Sequence, residues 1–262
     1  MKKYFCVFIV GSLALTIVVF HYYDCWKSLW SLENALPIYS VTHQNDDTLR
    51  VVMIGDSWAG MRTDSLNNTF RMRLSELSGV PVVLKTKGKG GEISRGVYQL
   101  MFEEKDPGTK KMIMTGPDYC VIFAGINDAA ANLGVEQYIH HLKLIIDLLL
   151  QNDICPVIIE IPNVDIWNIY GKKPVKDLMV DFVRSLMAGS DMYNFTEYRE
   201  ALFSMLVDNQ LMESVLYVQM SDWNGVGADV NKDIFLNDRI HLNAKGYLRL
   251  DSCIINAIMR DL

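Results

Sequence analysis

The run Leu49-Arg50-Val51-Val52-Met53-Ile54 stops abruptly at Gly55-Asp56-Ser57, and this change from apolar to turn chemistry constrains the fold more than any other feature. A short, nearly continuous apolar run bounded by turn residues marks a strand buried on both faces, the condition of a parallel sheet. Comparable runs recur at residues 81–85, 118–124, 155–161 and 215–219, with Pro162 closing the fourth of the five. Between them lie stretches expected to be helical, at residues 61–77, 93–103, 135–150, 175–187 and 198–207, followed by a last helix from Asn243. The clearest is 135–150, where Val135, Tyr138, Ile139, Leu142, Ile145, Ile146 and Leu149 share a stripe that must face a sheet. Strands alternating with helices, joined by right-handed crossovers, predict an α/β fold: a three-layer sandwich on a doubly wound parallel sheet.

The first residues have a different character. Lys2 and Lys3 precede an uncharged, mainly apolar run from Tyr4 to Phe20. About 20 helical residues at ~1.5 Å each cover the ~30 Å hydrocarbon core of a bilayer. This predicts an N-terminal membrane-spanning helix with its lysines inside and Tyr22, Tyr23, Trp26 and Trp30 at the far interface. The alternative is a cleaved signal peptide, although His21-Tyr22-Tyr23-Asp24 lacks the small residues of a cleavage site. Either reading exports the remainder, to the periplasm or the cell exterior. The expected organisation is an anchor or signal over 1–23, a tether or docking segment over 24–47, and one domain over 48–262.

Composition excludes several classes of partner. With 25 Lys+Arg against 31 Asp+Glu and a net charge of −6, the chain lacks the basic surface that phosphate-backbone binding requires, so no nucleic acid is expected. The cysteines at 6, 25, 120, 155 and 253 have no metal-ligand spacing, and burial suits Cys120 and Cys155 better than pairing. Residues 229–233 imitate the start of a calcium loop, but Ile234 stands where the turn glycine belongs. His140-His141 falls within the amphipathic helix, where one ring is expected to face solvent. Asn67 and Asn194 begin glycosylation sequons, relevant only in a eukaryotic secretory pathway. No metal or cofactor is expected.

In open parallel sheets reacting groups gather beyond the carboxyl ends of the strands. Gly55-Asp56-Ser57-Trp58 follows the first strand, and a serine there would stand at the mouth of a helix. Gly88-Lys89-Gly90-Gly91-Glu92 follows the second, where backbone N–H groups can approach a ligand; it lacks the Gly-Lys-Ser/Thr ending of a phosphate loop. Gly125-Ile126-Asn127-Asp128 follows the third, with a side-chain amide able to donate to a developing negative charge. Near the C-terminus, Asp238-Arg239-Ile240-His241 sets a carboxylate and an imidazole three positions apart, close enough for one turn to join them. Each block alone is also an ordinary turn; the four in one chain, in this order, are not.

Together the four blocks resemble those of the SGNH (GDSL-like) hydrolase superfamily over roughly Val51 to Gly246. The resemblance implies an SGNH/flavodoxin-like sheet and a serine esterase, with Ser57 as nucleophile, Asp238 and His241 completing its triad, and an oxyanion hole formed by Ser57, Gly91 and Asn127. Asp56 is structural in that scheme. The chain departs from the pattern in three places: Trp58 replaces the frequent leucine, Gly90 takes a position that is often serine, and no asparagine stands just before the second block. The second departure leaves Gly90 as an alternative to Gly91. The implied substrate is a small-molecule or glycan ester, most of all an O-acetyl group on carbohydrate, with Trp167, Tyr170 and Trp223 as candidates to stack on sugar. A lipid esterase such as a lysophospholipase, a sugar O-acetyltransferase and a non-catalytic glycan-binding protein are the alternatives.

Overall fold

The computed structural model describes residues 2–104, 108–164, 173–220, 222–223 and 233–262, with the side chains of residues 2–7, 22, 25, 26 and 28 also outside the description. Five strands form one parallel sheet: β1 (Leu49–Gly55), β2 (Val82–Gly88), β3 (Tyr119–Phe123), β4 (Cys155–Ile159) and β5 (Leu216–Val218). Their order is β2-β1-β3-β4-β5, so the chain leaves β1 to one side for β2 and returns past it for β3. The end of β1 is therefore the point at which the winding reverses, where such sheets open a crevice. Val51 to Ile54, Cys120 to Ile122, Val157 and Ile158 are buried, as the apolar runs required.

Helices cover both faces. In chain order they are α1 (Lys2–Leu29), α2 (Ser57–Gly60), α3 (Asp64–Ser78), α4 (Ser94–Leu100), α5 (Thr109–Ile113), α6 (Ile126–Ala130), α7 (Val135–Leu150), α8 (Val175–Ala188), α9 (Phe195–Asp208) and α10 (Ala244–Asp261). The stripe read from the sequence buries Tyr138, Leu142, Ile145, Ile146 and Leu149 of α7. The helix expected at 61–77 is α3, which starts at Asp64, and a separate single turn, α2, precedes it. Asp56 caps a single turn at Ser57, Met61 ends it, and the Thr63 hydroxyl accepts the Leu66 N–H to start α3. A side-chain acceptor satisfies N–H groups that the first turn of a helix leaves without partners, so the caps rather than the apolar pattern place these boundaries.

The N-terminal segment differs from its expected outline. The helix continues past residue 23 to Leu29, and residues 30–48 lie along the domain as a docking segment rather than a free tether. Backbone N–H groups of Ser31 and Leu36 donate to Gln137 Oε1 and Tyr98 Oη, and Tyr39 Oη donates to the Met101 carbonyl. Glu33 pairs with Arg95, its carbonyl meets His140, and its N–H reaches His141 Nε2. Both imidazoles thus hold the strap. His141 is fully buried, and burial holds its pKa down at about 4. Among the described residues no helix is long and apolar enough to cross a membrane, so the expected span over Tyr4–Phe20, whose first four side chains fall outside the description, gains no support from the fold. Cys120 is buried and Cys155 half-buried, both as free thiols.

A buried ion pair ties α10 to the chain after α2. Arg62 donates from Nη1 and Nη2 to the two Asp251 carboxylate oxygens at 2.7 and 3.0 Å, and its guanidinium lies 5.5 Å from the Tyr247 ring centroid. Tyr247 Oη donates to the Trp58 carbonyl. Burial raises the Asp251 pKa, and Arg62 offsets this only in part, so the pair fixes a geometry more than it adds net stability. Asp251→Ala should strand the guanidinium and cost about 3–5 kcal/mol in denaturant unfolding, whereas Arg62→Met with Asp251→Leu should recover most of that loss. Equal losses in the single and double variants would contradict this account of the pair.

Candidate active site

Ser57 is placed by the turn that leaves β1. Gly55 has φ 140°, and a Cβ there would fall 2.0 Å from the Phe123 carbonyl oxygen, so only glycine lets β1 end this close to β3. The Asp56 N–H donates to that same oxygen at 3.0 Å. The Asp56 carboxylate, almost wholly buried, accepts the Trp58 N–H at 2.9 Å and so starts α2. Ser57 becomes the first residue of α2, half-exposed beside the crevice.

The C-terminal block reaches the same crevice through a tight turn of its own. Phe235 and Leu242 form an antiparallel bridge, and the Leu236 N–H donates to the His241 carbonyl at 2.7 Å. Within this loop Asp238 Oδ1 accepts the N–H groups of Ile240 and His241 at 3.0 and 2.9 Å. Its Oδ2 lies 2.7 Å from His241 Nδ1, and His241 Nε2 lies 3.0 Å from Ser57 Oγ. Although burial raises the Asp238 pKa, the three hydrogen bonds outweigh it and leave the pKa below the usual carboxylate value. The ionised carboxylate draws the imidazole proton to Nδ1, which turns the Nε2 lone pair toward the serine hydroxyl. Ser57 can then lose its proton as it attacks a carbonyl, and the imidazolium can return it to the leaving oxygen.

The remaining sequence candidates line the same space. Ser57, Gly91, Asn127, Asp238 and His241 all border one cleft of ≈ 650 Å³, with Gly90 beside them. Gly91 takes φ 76°, a conformation suited to glycine, and Gly90 does not. Asn127 Nδ2 donates one hydrogen to the Glu92 carbonyl at 2.8 Å, which orients the amide and ties it to the glycine loop. Met61, Ile126 and Ile240 also line the cleft, and sequence reasoning missed all three. Ile126 and Ile240 stand next to Asn127 and His241, so adjacency was the available signal for those two, while Met61, four residues after Ser57, carried none. Trp223 is corrected: it is 1% exposed, with the Arg249 guanidinium 4.6 Å from its ring centroid, and it belongs to the core. Trp167 and Tyr170 lie outside the described residues.

Comparison with known proteins agrees with this geometry. A profile of the GDSL-like Lipase/Acylhydrolase family matches residues 53–249, and the chain belongs to that family. It is a serine hydrolase acting on esters. Among solved structures it resembles the lipase/acylhydrolase from Enterococcus faecalis at 16% identity and a TM-score of 0.60, covering 82% of this chain and 97% of that one. TesA gives 16% identity and a TM-score of 0.57, over 81% of this chain and 99% of that one. A mutant of Axe2, an acetyl-xylooligosaccharide esterase from Geobacillus Stearmophilus, gives 15% and 0.55, over 80% and 94%. At such identities the likeness is one of fold. A search of curated proteins returns no match.

Two measurements check the site. Hydrolysis of a short-chain ester should be abolished by Ser57→Ala and by His241→Ala, and Asn127→Ala should lose on the order of 10²–10³ in kcat. Asp238→Asn should fall short of the ~10⁴ loss that the equivalent change causes in a serine protease, because two backbone N–H groups still hold residue 238. Near-native turnover by folded Ser57→Ala would overturn the assignment. The second concerns pH. Burial pushes the Asp56 carboxyl up to about 7, opposed by the Trp58 N–H and reinforced by Asp128. A carboxyl with a raised folded-state pKa stabilises fully below its unfolded value, ~3.9, and loses that contribution as pH rises through the folded value. Melting temperature should therefore fall less between pH 4.5 and 7.5 in Asp56→Asn than in the parent; parallel curves would refute this.

Proposed function

We propose that the enzyme removes short acyl groups, acetyl above all, from a carbohydrate through an acyl-enzyme on Ser57. The observation that carries this reading is the unbroken contact from Asp238 through His241 to Ser57, opening on a cleft whose near wall is glycine backbone. The glycan side draws on the likeness to an esterase of acetylated xylooligosaccharides.

A membrane-associated lipid esterase is the second reading, favoured by apolar surface. Phe8, Leu13, Ile17 and Phe20 of α1 are 71%, 62%, 62% and 64% exposed, and Val175, Phe182 and Leu186 form an exposed stripe on α8 beside it. We propose that α1 tethers the enzyme at a membrane with the catalytic domain exported. The support is the continuity of one helix from Lys2 to Leu29 and the apolar character of its described side chains.

The substrate test is a side-by-side assay of the full chain in detergent on acetyl and long-chain aryl esters, with and without a sugar acceptor. Preference for acetyl is expected. Preference for long chains would support the lipid reading, and turnover only with the acceptor would make the enzyme an acetyltransferase. For the anchor, carbonate extraction should leave the protein in the membrane fraction, with a C-terminal reporter reading as exported. A soluble chain or a cytoplasmic reporter would contradict it.

A further inference from the structure

We propose that Asp128 is a positioning residue of the oxyanion hole, holding the Gly91 loop in register with Ser57 through two hydrogen bonds from Ser94. This rests on the reading of Gly91 and Asn127 as oxyanion donors. Asp128 and Ser94 are both fully buried. Asp128 Oδ2 accepts the Ser94 N–H at 2.9 Å, and Oδ1 accepts the Ser94 hydroxyl at 2.5 Å. Bonds from charged acceptors are the stronger kind, and a carboxylate taking two donors from one residue fixes that residue's orientation as well as its distance.

The neighbouring loop needs such a hold. Gly91 lies three residues before Ser94, in a stretch where a Cβ at Gly90 or Gly91 would meet nothing within 4 Å, so side-chain packing does not set the loop's position. The Lys89 N–H donates to the Gly55 carbonyl, which holds the near side. On the far side, α4 begins at Ser94 without a side-chain cap from its own Ncap residue, Ile93. Asp128 supplies that missing acceptor from another element. It stands directly after Asn127, whose amide grips the Glu92 carbonyl, so two consecutive residues of α6 clamp the loop at Glu92 and at Ser94. The clamp itself is anchored: the Asp128 carbonyl accepts the Leu133 N–H at 3.1 Å and Tyr198 Oη at 3.2 Å. A carboxylate at this position costs desolvation, visible in a pKa raised to about 6, and its two Ser94 donors oppose that cost.

Asp128 touches neither the nucleophile nor the imidazole, so it acts through Ser94 and the Gly91 N–H. Displacing an oxyanion donor weakens the transition state, in which the negative charge exists, and leaves ground-state binding alone. The loss should therefore appear in kcat and not in KM.

The experiment uses the full chain with Asp128→Ala, Ser94→Ala, Ser94→Thr and the Ser94→Ala/Asp128→Ala double variant. Each is read by kcat and KM on an aryl acetate and by the rate of labelling with a fluorophosphonate, whose phosphoryl oxygen occupies the same hole whatever the natural substrate. Asp128→Ala removes both of the oxygens that Ser94 donates to, and a misplacement of about 1 Å costs on the order of 10² in rate. Its kcat and labelling rate should fall ~10–100-fold with KM within about twofold, on that scale. Ser94→Ala should lose less and Ser94→Thr least, since threonine keeps both donors. The double variant should lose no more than Asp128→Ala alone, because both single changes cut the same contact. Native kcat in folded Asp128→Ala, a loss carried by KM, or losses that simply multiply in the double variant would overturn the proposal. If Asp128→Ala does not fold, Ser94→Ala decides by the same split between kcat and KM. Failure of the parent to react with the fluorophosphonate would instead refute the reading of Ser57.

Discussion

The structure depends on how closely β1 ends against β3. Gly55 lets the chain pass the Phe123 carbonyl, and the Asp56 N–H then bonds to that oxygen. This one contact fixes where Ser57 emerges. Since β1 is also the strand at which the sheet's winding reverses, the glycine loop after β2 and the Asn127 turn after β3 must arrive on either side of the serine. The site is thus a consequence of strand order, and the side chains supply chemistry to a place the backbone has already made.

Only the imidazole and its carboxylate come from elsewhere, and two separate devices bring them in. Locally, Asp238 collects two backbone N–H groups and the ring, so carboxylate and imidazole form one rigid unit within four residues. At longer range, α10 follows that unit immediately and is fastened to the serine side by the Arg62–Asp251 pair and by the Tyr247 bond to the Trp58 carbonyl. A buried pair of this kind contributes little net stability, but its bidentate geometry restricts how far the histidine can drift from the serine. Two buried carboxyl groups, Asp56 and Asp128, stand next to Ser57 and Asn127, and each accepts a backbone N–H. In this arrangement stability is spent on placement.

Much of this was legible in the sequence because its physical signals are local. The α7 stripe predicts residues 135–150, and the helix runs over those residues, since sixteen positions of unbroken period leave no competing pattern. The apolar runs likewise predict β1, β3 and β4 to within a few residues, and the strand-end rule brings Ser57, Gly91 and Asn127 to one cleft, which the Asp238–His241 turn also borders. What was not legible depended on contacts distant in sequence. The short α5 and α6 carry too few residues for a period to emerge, and α2 exists because Asp56 caps it. His141 reads as a solvent-facing or core position until Glu33 is placed against it, and Trp223 reads as a loop residue until Arg249 covers its ring. The strap over residues 30–48 has no periodicity to read, because side chains of other elements hold it.

The central claim is that one hydroxyl becomes covalently acylated. The most direct measurement is rapid acid quench of the enzyme during turnover of an aryl acetate, followed by intact mass determination and peptide mapping. The account predicts a single acetyl group, carried on the peptide containing Ser57 and lost on further incubation without substrate. An acetyl group mapped to another residue, or turnover with no acylated species even when deacylation is slowed by low temperature, would contradict it.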